Sequence, residues 1–150
     1  MNHTTNYNLN QWEADDRIMR TDFNDAMEKL DTAVAAAPKI ATGSYVGTGA
    51  CGESNPNSLT FDFVPKLVIV GLHPNGLFLR NCDNQCGFGY SFIWTYGQTS
   101  ISVMLNSVET LTASLQGNTL SWYGDNAVIQ LNFKPSPSAE GYLYDYIAIG

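Results

Sequence analysis

The sequence predicts a mainly β protein in which an N-terminal α-helix precedes an antiparallel, jelly-roll-like β-sandwich. Two observations carry this prediction. Before Pro38, charged residues are dense and apolar residues recur at helical spacing. After Pro38, strand-sized apolar runs are separated by Gly, Asn and Pro, and charge is sparse. We therefore predict a helical attachment and oligomerisation segment over residues 1–38 and a β-sandwich head over residues 39–150.

The helix is predicted to begin at a capping signal and to end at a proline. Asn10 followed three residues later by Glu13 resembles a capping box, and Pro38 ends the segment. From Met19 onward the apolar steps are four, four, three and four, close to the a/d seam of a coiled coil. An isolated helix of this length is marginal in water, so it needs either its own head or other copies as a partner. The predicted oligomerisation seam comprises Met19, Phe23, Met27, Leu30 and Val34.

The head is predicted to be built of short strands separated by turn residues, as in an antiparallel sandwich or barrel. Hairpins are expected at Leu115–Leu120 and from Tyr123 to Val128. In the final strand, Asp145 falls on an otherwise Leu/Ile face and therefore needs hydrogen-bond partners. The predicted strands are Ile40–Val46, Leu59–Val64, Leu67–Leu72, Leu77–Arg80, Tyr90–Tyr96, Ile101–Leu105, Glu109–Leu115, Thr119–Tyr123, Ala127–Phe133 and Tyr142–Ile149.

The composition excludes several classes of function. A net charge of -7 argues against nucleic-acid binding and against adhesion to anionic membranes by charge. No apolar run approaches the roughly 18 residues that span a bilayer, so we expect no membrane insertion. The polar N-terminus carries no signal peptide, which predicts synthesis in a host cytoplasm.

Catalytic motifs are not found in the sequence. There are two histidines, and no nucleophile elbow, phosphate-binding loop or zinc-protease motif accompanies them. Two acids of the head could act together in glycoside hydrolysis, but no pair is singled out. The Cys82–Cys86 spacing leaves three alternatives, a metal site with His73, a local disulfide, or ordinary loop thiols. We expect no enzyme, no metal and no cofactor.

Aromatic residues beside Asn- and Asp-rich turns suggest a surface that contacts a ligand. Aromatic rings supply a large contact area at low entropic cost, although aromatic residues in strands also build cores and subunit interfaces. The candidate ligand-binding residues are Asn75, Asp83, Asn84, Trp94, Tyr96 and Tyr123.

Several short motifs follow one another along the chain, and they are Tyr7–Glu13, Asp16–Arg20, Asp22–Asn24, Gly43–Gly49, Phe61–Val70 and Tyr144–Gly150. In this order they resemble one family, the tail-fibre or baseplate-tip (receptor-binding) proteins of phages and prophages of Gram-positive gut bacteria. The resemblance implies a homotrimeric virion protein whose N-terminal helix joins other tail proteins and whose β head recognises the cell surface. The Cys51–Pro56 segment and the Cys82–Cys86 loop depart from the family's pattern.

The expected function is therefore that of a tail-associated adhesion module that binds a cell-surface glycan non-covalently. One alternative is a purely structural tail or baseplate component, which would assemble with tail proteins without binding cells. A second alternative is a depolymerase, which would release reducing ends from surface polysaccharide.

Overall fold

Two compact units, Met1–Pro38 and Lys39–Gly150, make up the chain in the computed structural model. The structure describes residues 2–72, 91–104, 108–132 and 142–150. The first unit contains a short antiparallel hairpin, β1 (Asn2–His3) and β2 (Asn10–Gln11), followed by one helix, α1 (Arg20–Ala35).

Two four-stranded antiparallel sheets form the second unit within the described residues. The first sheet has the strand order β3-β10-β5-β6 and the second has the order β4-β9-β8-β7. The strands are β3 (Ile40–Val46), β4 (Asn57–Thr60), β5 (Leu67–Leu72), β6 (Ser91–Thr95), β7 (Ser100–Met104), β8 (Val108–Gln116), β9 (Thr119–Tyr123) and β10 (Leu143–Ile149). The prediction of a mainly β, antiparallel protein with one helix is confirmed in the part of the chain that the structure describes.

A single hydrophobic core receives residues from both sheets. Trp122 of the second sheet packs edge-on against Phe92 of the first, with ring centroids 5.1 Å apart, and against Tyr45 at 6.1 Å. Trp94 and Trp122 are both fully buried in this core. Since the inner faces of the two sheets meet through these rings, the fold is sandwich-like.

Three predicted strands agree with the structure at both ends. The strands Ile40–Val46, Leu67–Leu72 and Thr119–Tyr123 have the predicted bounds, and the hairpin through Gly117 joins β8 to β9. Gly117 has a φ of +62°, a conformation that glycine adopts without a steric penalty. Asp145 does lie among Leu and Ile residues, and it accepts a 2.7 Å hydrogen bond from the Ser44 hydroxyl of β3.

The predicted start of the helix is wrong. Asn10 belongs to β2 rather than to a helix cap, and its side-chain amide donates to the Asp22 carbonyl at 2.8 Å. Glu13 cannot complete a capping box because its carboxylate accepts from the Asn2 amide at 2.5 Å. A local turn replaces the first helical turns, with the Glu13 and Asp16 backbones joined at 3.1 Å, and α1 begins at Arg20.

The predicted strand at Ala127–Phe133 is wrong over its described residues, 127–132, and the hairpin leading into it is also wrong. The Asn126 carboxamide oxygen accepts from the backbone N–H groups of Val128 and Ile129, both at 3.0 Å, which starts a chain of tight turns. At Leu131 the backbone has a φ of +55°, which is incompatible with a strand. The predicted strand Leu59–Val64 is shorter, because pairing stops at Thr60.

A polar clamp holds this turn against the loop that follows β3. The Gln130 side chain is fully buried, and its carbonyl accepts from Gly52 at 3.1 Å and from Gly124 at 3.2 Å. Its amide donates to the Asn55 carbonyl at 2.8 Å. Asn132 makes a similar set of bonds to the residues around Thr48. Each buried amide is therefore satisfied, as burial of polar groups requires.

Candidate functional site

A cleft of about 340 Å³ lies between the β6–β7 connection and the strand β8. Tyr96, Gln98 and Thr99 line one side of it, and the Ala113–Leu115 segment of β8 lines the other. The Tyr96 side chain is 65% exposed, which makes it the most open aromatic ring of the head among the described residues. The cleft therefore combines one accessible aromatic ring with amide and hydroxyl groups.

Local hydrogen bonds fix the wall that carries Tyr96. The Trp94 indole donates to the Gln98 carbonyl at 2.9 Å, and the Thr95 N–H donates to the Gln98 side-chain carbonyl at 2.8 Å. Gly97 supplies the reversal of the chain with a φ of +86°. The Tyr96 N–H donates to the Lys66 carbonyl at 2.8 Å. Because both ends of this short turn are bonded, the Tyr96 ring is presented on a rigid support.

The predicted ligand contact Trp94 lines the cleft but belongs to the buried core. Its exposed fraction is 0%, and its indole N–H is bonded to the Gln98 carbonyl. Alternation assigned Trp94 and Tyr96 to one face, and β6 ends at Thr95 between them. The turn at Gly97 then leaves Tyr96 at the surface while Trp94 stays buried.

The outer face of the second sheet is covered with neutral hydroxyl side chains, and we name it the hydroxyl face. In register across three strands, Ser58 pairs with Ser121, which pairs with Ser114. The Thr60 and Thr119 hydroxyls are hydrogen bonded at 2.9 Å. The described side chains of this face are Ser58, Thr60, Ser100, Ser102, Thr110, Thr112, Ser114, Gln116, Thr119, Ser121 and Tyr123.

Tyr123 is the aromatic residue of this face. It is half-buried on β9 and lies directly opposite Thr112 of β8. Ser114, two residues along β8 from Thr112, belongs to the hydroxyl face and also lines the Tyr96 cleft. Ser114 is therefore shared by the hydroxyl face, which carries Tyr123, and by the cleft, which carries Tyr96.

The remaining predicted ligand residues, Asn75, Asp83 and Asn84, lie outside the described residues, as do His73 and the Cys82–Cys86 loop. Cys51 is a free, half-buried thiol. Across the described ranges, no group of three or more His, Cys, Asp or Glu side chains is placed to hold a metal ion. The same ranges contain no helix that is long and apolar enough to cross a membrane.

The predicted oligomerisation seam lies along α1 and is open to solvent. The exposed fractions are 51% for Phe23, 44% for Met27 and 70% for Val34, and Leu30 is half-buried. Met19 is the N-cap residue rather than a helical one, and it is 48% exposed. No residue of α1 is fully buried. Four members of the predicted seam therefore form one exposed apolar stripe within the helix.

Sequence reasoning missed the hydroxyl face as a whole. Its signal is present in β8, where Thr110, Thr112, Ser114 and Gln116 alternate with apolar residues. Alternation alone shows that one side of a strand is polar, and only the pairing of four such strands creates a continuous face.

No family model, no curated protein and no solved structure matches this chain. The chemistry of the cleft and of the hydroxyl face is therefore the basis for assigning a function.

Proposed function

We propose that the head is an adhesion module that binds a neutral glycan of a bacterial cell surface, within a phage tail protein of the kind that the motifs resemble. The observation that carries the proposal is the uncharged hydroxyl face that adjoins the Tyr96 cleft. Serine and threonine hydroxyls both donate and accept hydrogen bonds, as sugar hydroxyls do. The two tyrosines add rings whose apolar faces suit the C–H faces of a sugar.

The lack of charge favours a neutral ligand over an anionic one. Anionic ligands are bound through Arg and Lys, which form the strong charge-assisted hydrogen bonds. None of the eleven side chains of the hydroxyl face is basic or acidic. Binding a neutral chain across this face also avoids the cost of removing charges from water.

Self-association through the helix fits this role. The exposed stripe keeps the a/d spacing over Phe23, Met27, Leu30 and Val34, which suits pairing with identical helices. A homotrimer would present three heads to one cell surface, and linked sites raise the overall affinity by about 10²-fold or more without new contacts. Attachment to other tail proteins through the same N-terminal unit is part of this proposal.

Binding of the full-length protein to host cells and to a glycan array tests the proposal. Tyr96→Ala and Tyr123→Ala should each weaken binding about tenfold, since each removes a contact ring. Tyr7→Ala is the matched control, because Tyr7 is 59% exposed in the N-terminal unit and should leave binding unchanged. Equal binding by all three folded variants would remove this surface as the binding site.

A structural role in the tail is the second candidate, and the exposed apolar stripe of α1 favours it. In that case the purified protein would assemble with tail proteins and would bind neither cells nor glycans. The same binding assay therefore separates the two candidates.

A further inference from the structure

The outer face of the first sheet is apolar, in contrast to the hydroxyl face on the other side of the sandwich. In one row across the sheet, Ile147 of β10 lies between Ile69 of β5 and Thr42 of β3, and Ile93 of β6 follows Ile69. The apolar residues of two adjacent rows, which we name the isoleucine face, are Ile40, Leu67, Ile69, Ile93, Ile147 and Ile149.

These residues are not part of the core of the head. Ile40 and Ile93 are 65% and 60% exposed, and the others are half-buried. None of the six is among the apolar residues that pack against the core. The side chains lie outward because alternate residues of each strand point to opposite sides of the sheet.

Charge does not prevent a second apolar surface from covering this face. The two rows contain Thr42 and Thr95 besides the six apolar residues, and no ionisable group. Asp145 lies outside these two rows, in the next row along β10, where it accepts a hydrogen bond from Ser44 of the same head. Within the two rows, two copies of the face can therefore approach without opposing charges, which would cost several kcal/mol.

The size of the isoleucine face indicates what kind of partner it fits. With strands about 4.8 Å apart and alternate residues about 6.7 Å apart, two rows across four strands cover on the order of 250 Å². A stable complex between free proteins buries roughly 800 Å² on each partner. The face is therefore too small to hold an independent partner by itself.

A second copy of the chain that is tethered to the first can bind this small face. When two heads are held together by their helices, each meets the other at an effective concentration in about the millimolar range. A small apolar contact is occupied at that concentration although it is negligible between free molecules. We infer that the isoleucine face is the contact surface between heads of neighbouring copies of this chain in the helix-linked oligomer. This inference rests on the self-association that is part of the proposed function.

Light scattering of the full-length protein over a dilution series tests the inference. The double variant Ile40→Asp/Ile93→Asp changes two exposed positions on edge strands, so the core is untouched. It should raise the concentration at which the oligomer half-dissociates by about tenfold or more, because two apolar contacts are replaced by charges. Val64→Asp is the matched control, since Val64 is 51% exposed and lies outside the sheet.

Three outcomes would overturn the inference. One is a half-dissociation concentration of the double variant equal to that of Val64→Asp, with circular dichroism showing both variants folded. Another is a wild-type protein that is monomeric at every concentration. The third is a Met27→Asp variant that stays oligomeric, because the tether would then not be the helix. Failure of glycan binding with the oligomer intact would instead count only against the adhesive function.

Discussion

The Tyr45 hydroxyl donates a 2.9 Å hydrogen bond to the carbonyl of Leu131, the buried residue whose backbone has a φ of +55°. A bulky residue in this left-handed region costs on the order of 1 kcal/mol or more, so surrounding bonds must hold it there. Asn57 also donates to the Leu131 carbonyl, at 3.4 Å. Tyr45 on the first sheet thus fixes a turn that packs against the second sheet.

Removal of this hydroxyl should destabilise the head moderately. Tyr45→Phe keeps the ring, which stacks on Tyr144 at 5.1 Å, and loses the hydrogen bond. We expect the free energy of unfolding to fall by only about 1 kcal/mol, because Asn57 still donates a hydrogen bond to the Leu131 carbonyl. Urea unfolding measures this value. Tyr7→Phe, at an exposed site, should change it by less than about 0.5 kcal/mol, and an equal loss in both variants would contradict the expectation.

Alkaline pH should destabilise the protein through the same residue. Burial raises the pKa of Tyr45 well above its usual value, and the neighbouring Tyr144 charge raises it further. In the unfolded chain Tyr45 ionises near its usual pKa of about 10, whereas the folded state keeps the proton. The stabilising effect is therefore complete below about pH 10 and is lost as the pH rises, by up to about 1.4 kcal/mol per pH unit.

Unfolding curves at a series of alkaline pH values check this sign. The free energy of unfolding of the wild type should fall more steeply with pH than that of Tyr45→Phe. The stability advantage of the wild type over Tyr45→Phe should therefore shrink or change sign at alkaline pH. If the free energies of unfolding of both proteins fall in parallel with pH, then groups other than Tyr45 cause the loss of stability at alkaline pH.

The hydrogen bonds of the polar clamp predict that a substitution at Gln130 lowers the free energy of unfolding more than Tyr45→Phe does. Gln130→Leu preserves approximate size but leaves the buried Gly124 N–H and the part-buried Asn55 carbonyl without this partner. Each such loss costs about 1–3 kcal/mol, so we expect a total of about 3 kcal/mol by chemical unfolding. Gln116→Leu places the same change on an exposed position of β8 and should be nearly neutral. A small effect at Gln130 would mean that water replaces the lost bonds.

A glycine in β3 is required by the ring of Tyr146. Gly43 is paired directly with Tyr146 of β10, and a Cβ at Gly43 would lie 2.5 Å from the Tyr146 hydroxyl oxygen and 2.7 Å from the ring carbon Cζ. Gly43→Ala should therefore lower the free energy of unfolding by about 1–3 kcal/mol, as overpacking does.

A double-mutant cycle identifies the cause of that loss. In a Tyr146→Ala background the clash is gone, so Gly43→Ala should become neutral or slightly stabilising, with a coupling energy above about 1 kcal/mol. If Gly43→Ala lowers the free energy of unfolding equally with Tyr146 and with Ala at position 146, then the loss comes from the backbone of Gly43 and not from a clash with the Tyr146 ring.

The predictions from the sequence succeeded where one local pattern decides the structure. Alternation was sufficient to predict β3 and β9, a short apolar run was sufficient to predict β5, and Gly117 was sufficient to predict the β8–β9 turn. The start of α1 was missed because Asn10 and Glu13 bond to residues outside their own turn. Asn126 offered a local turn signal, but the apolar run after it was read as a strand. The hydroxyl face depends on the pairing of four strands, which no single segment specifies.

The position of β10 has a consequence for synthesis of the protein. This strand lies between β3 and β5 in the first sheet, and its Asp145 bonds to Ser44, 101 residues earlier. While the chain emerges from the ribosome, β3 and β5 each have an edge whose hydrogen-bonding groups are unpaired until β10 is synthesised. Folding that depends on so distant a pairing is slow, and exposed strand edges invite aggregation. We therefore expect the yield of native protein to depend on events that follow the synthesis of β10.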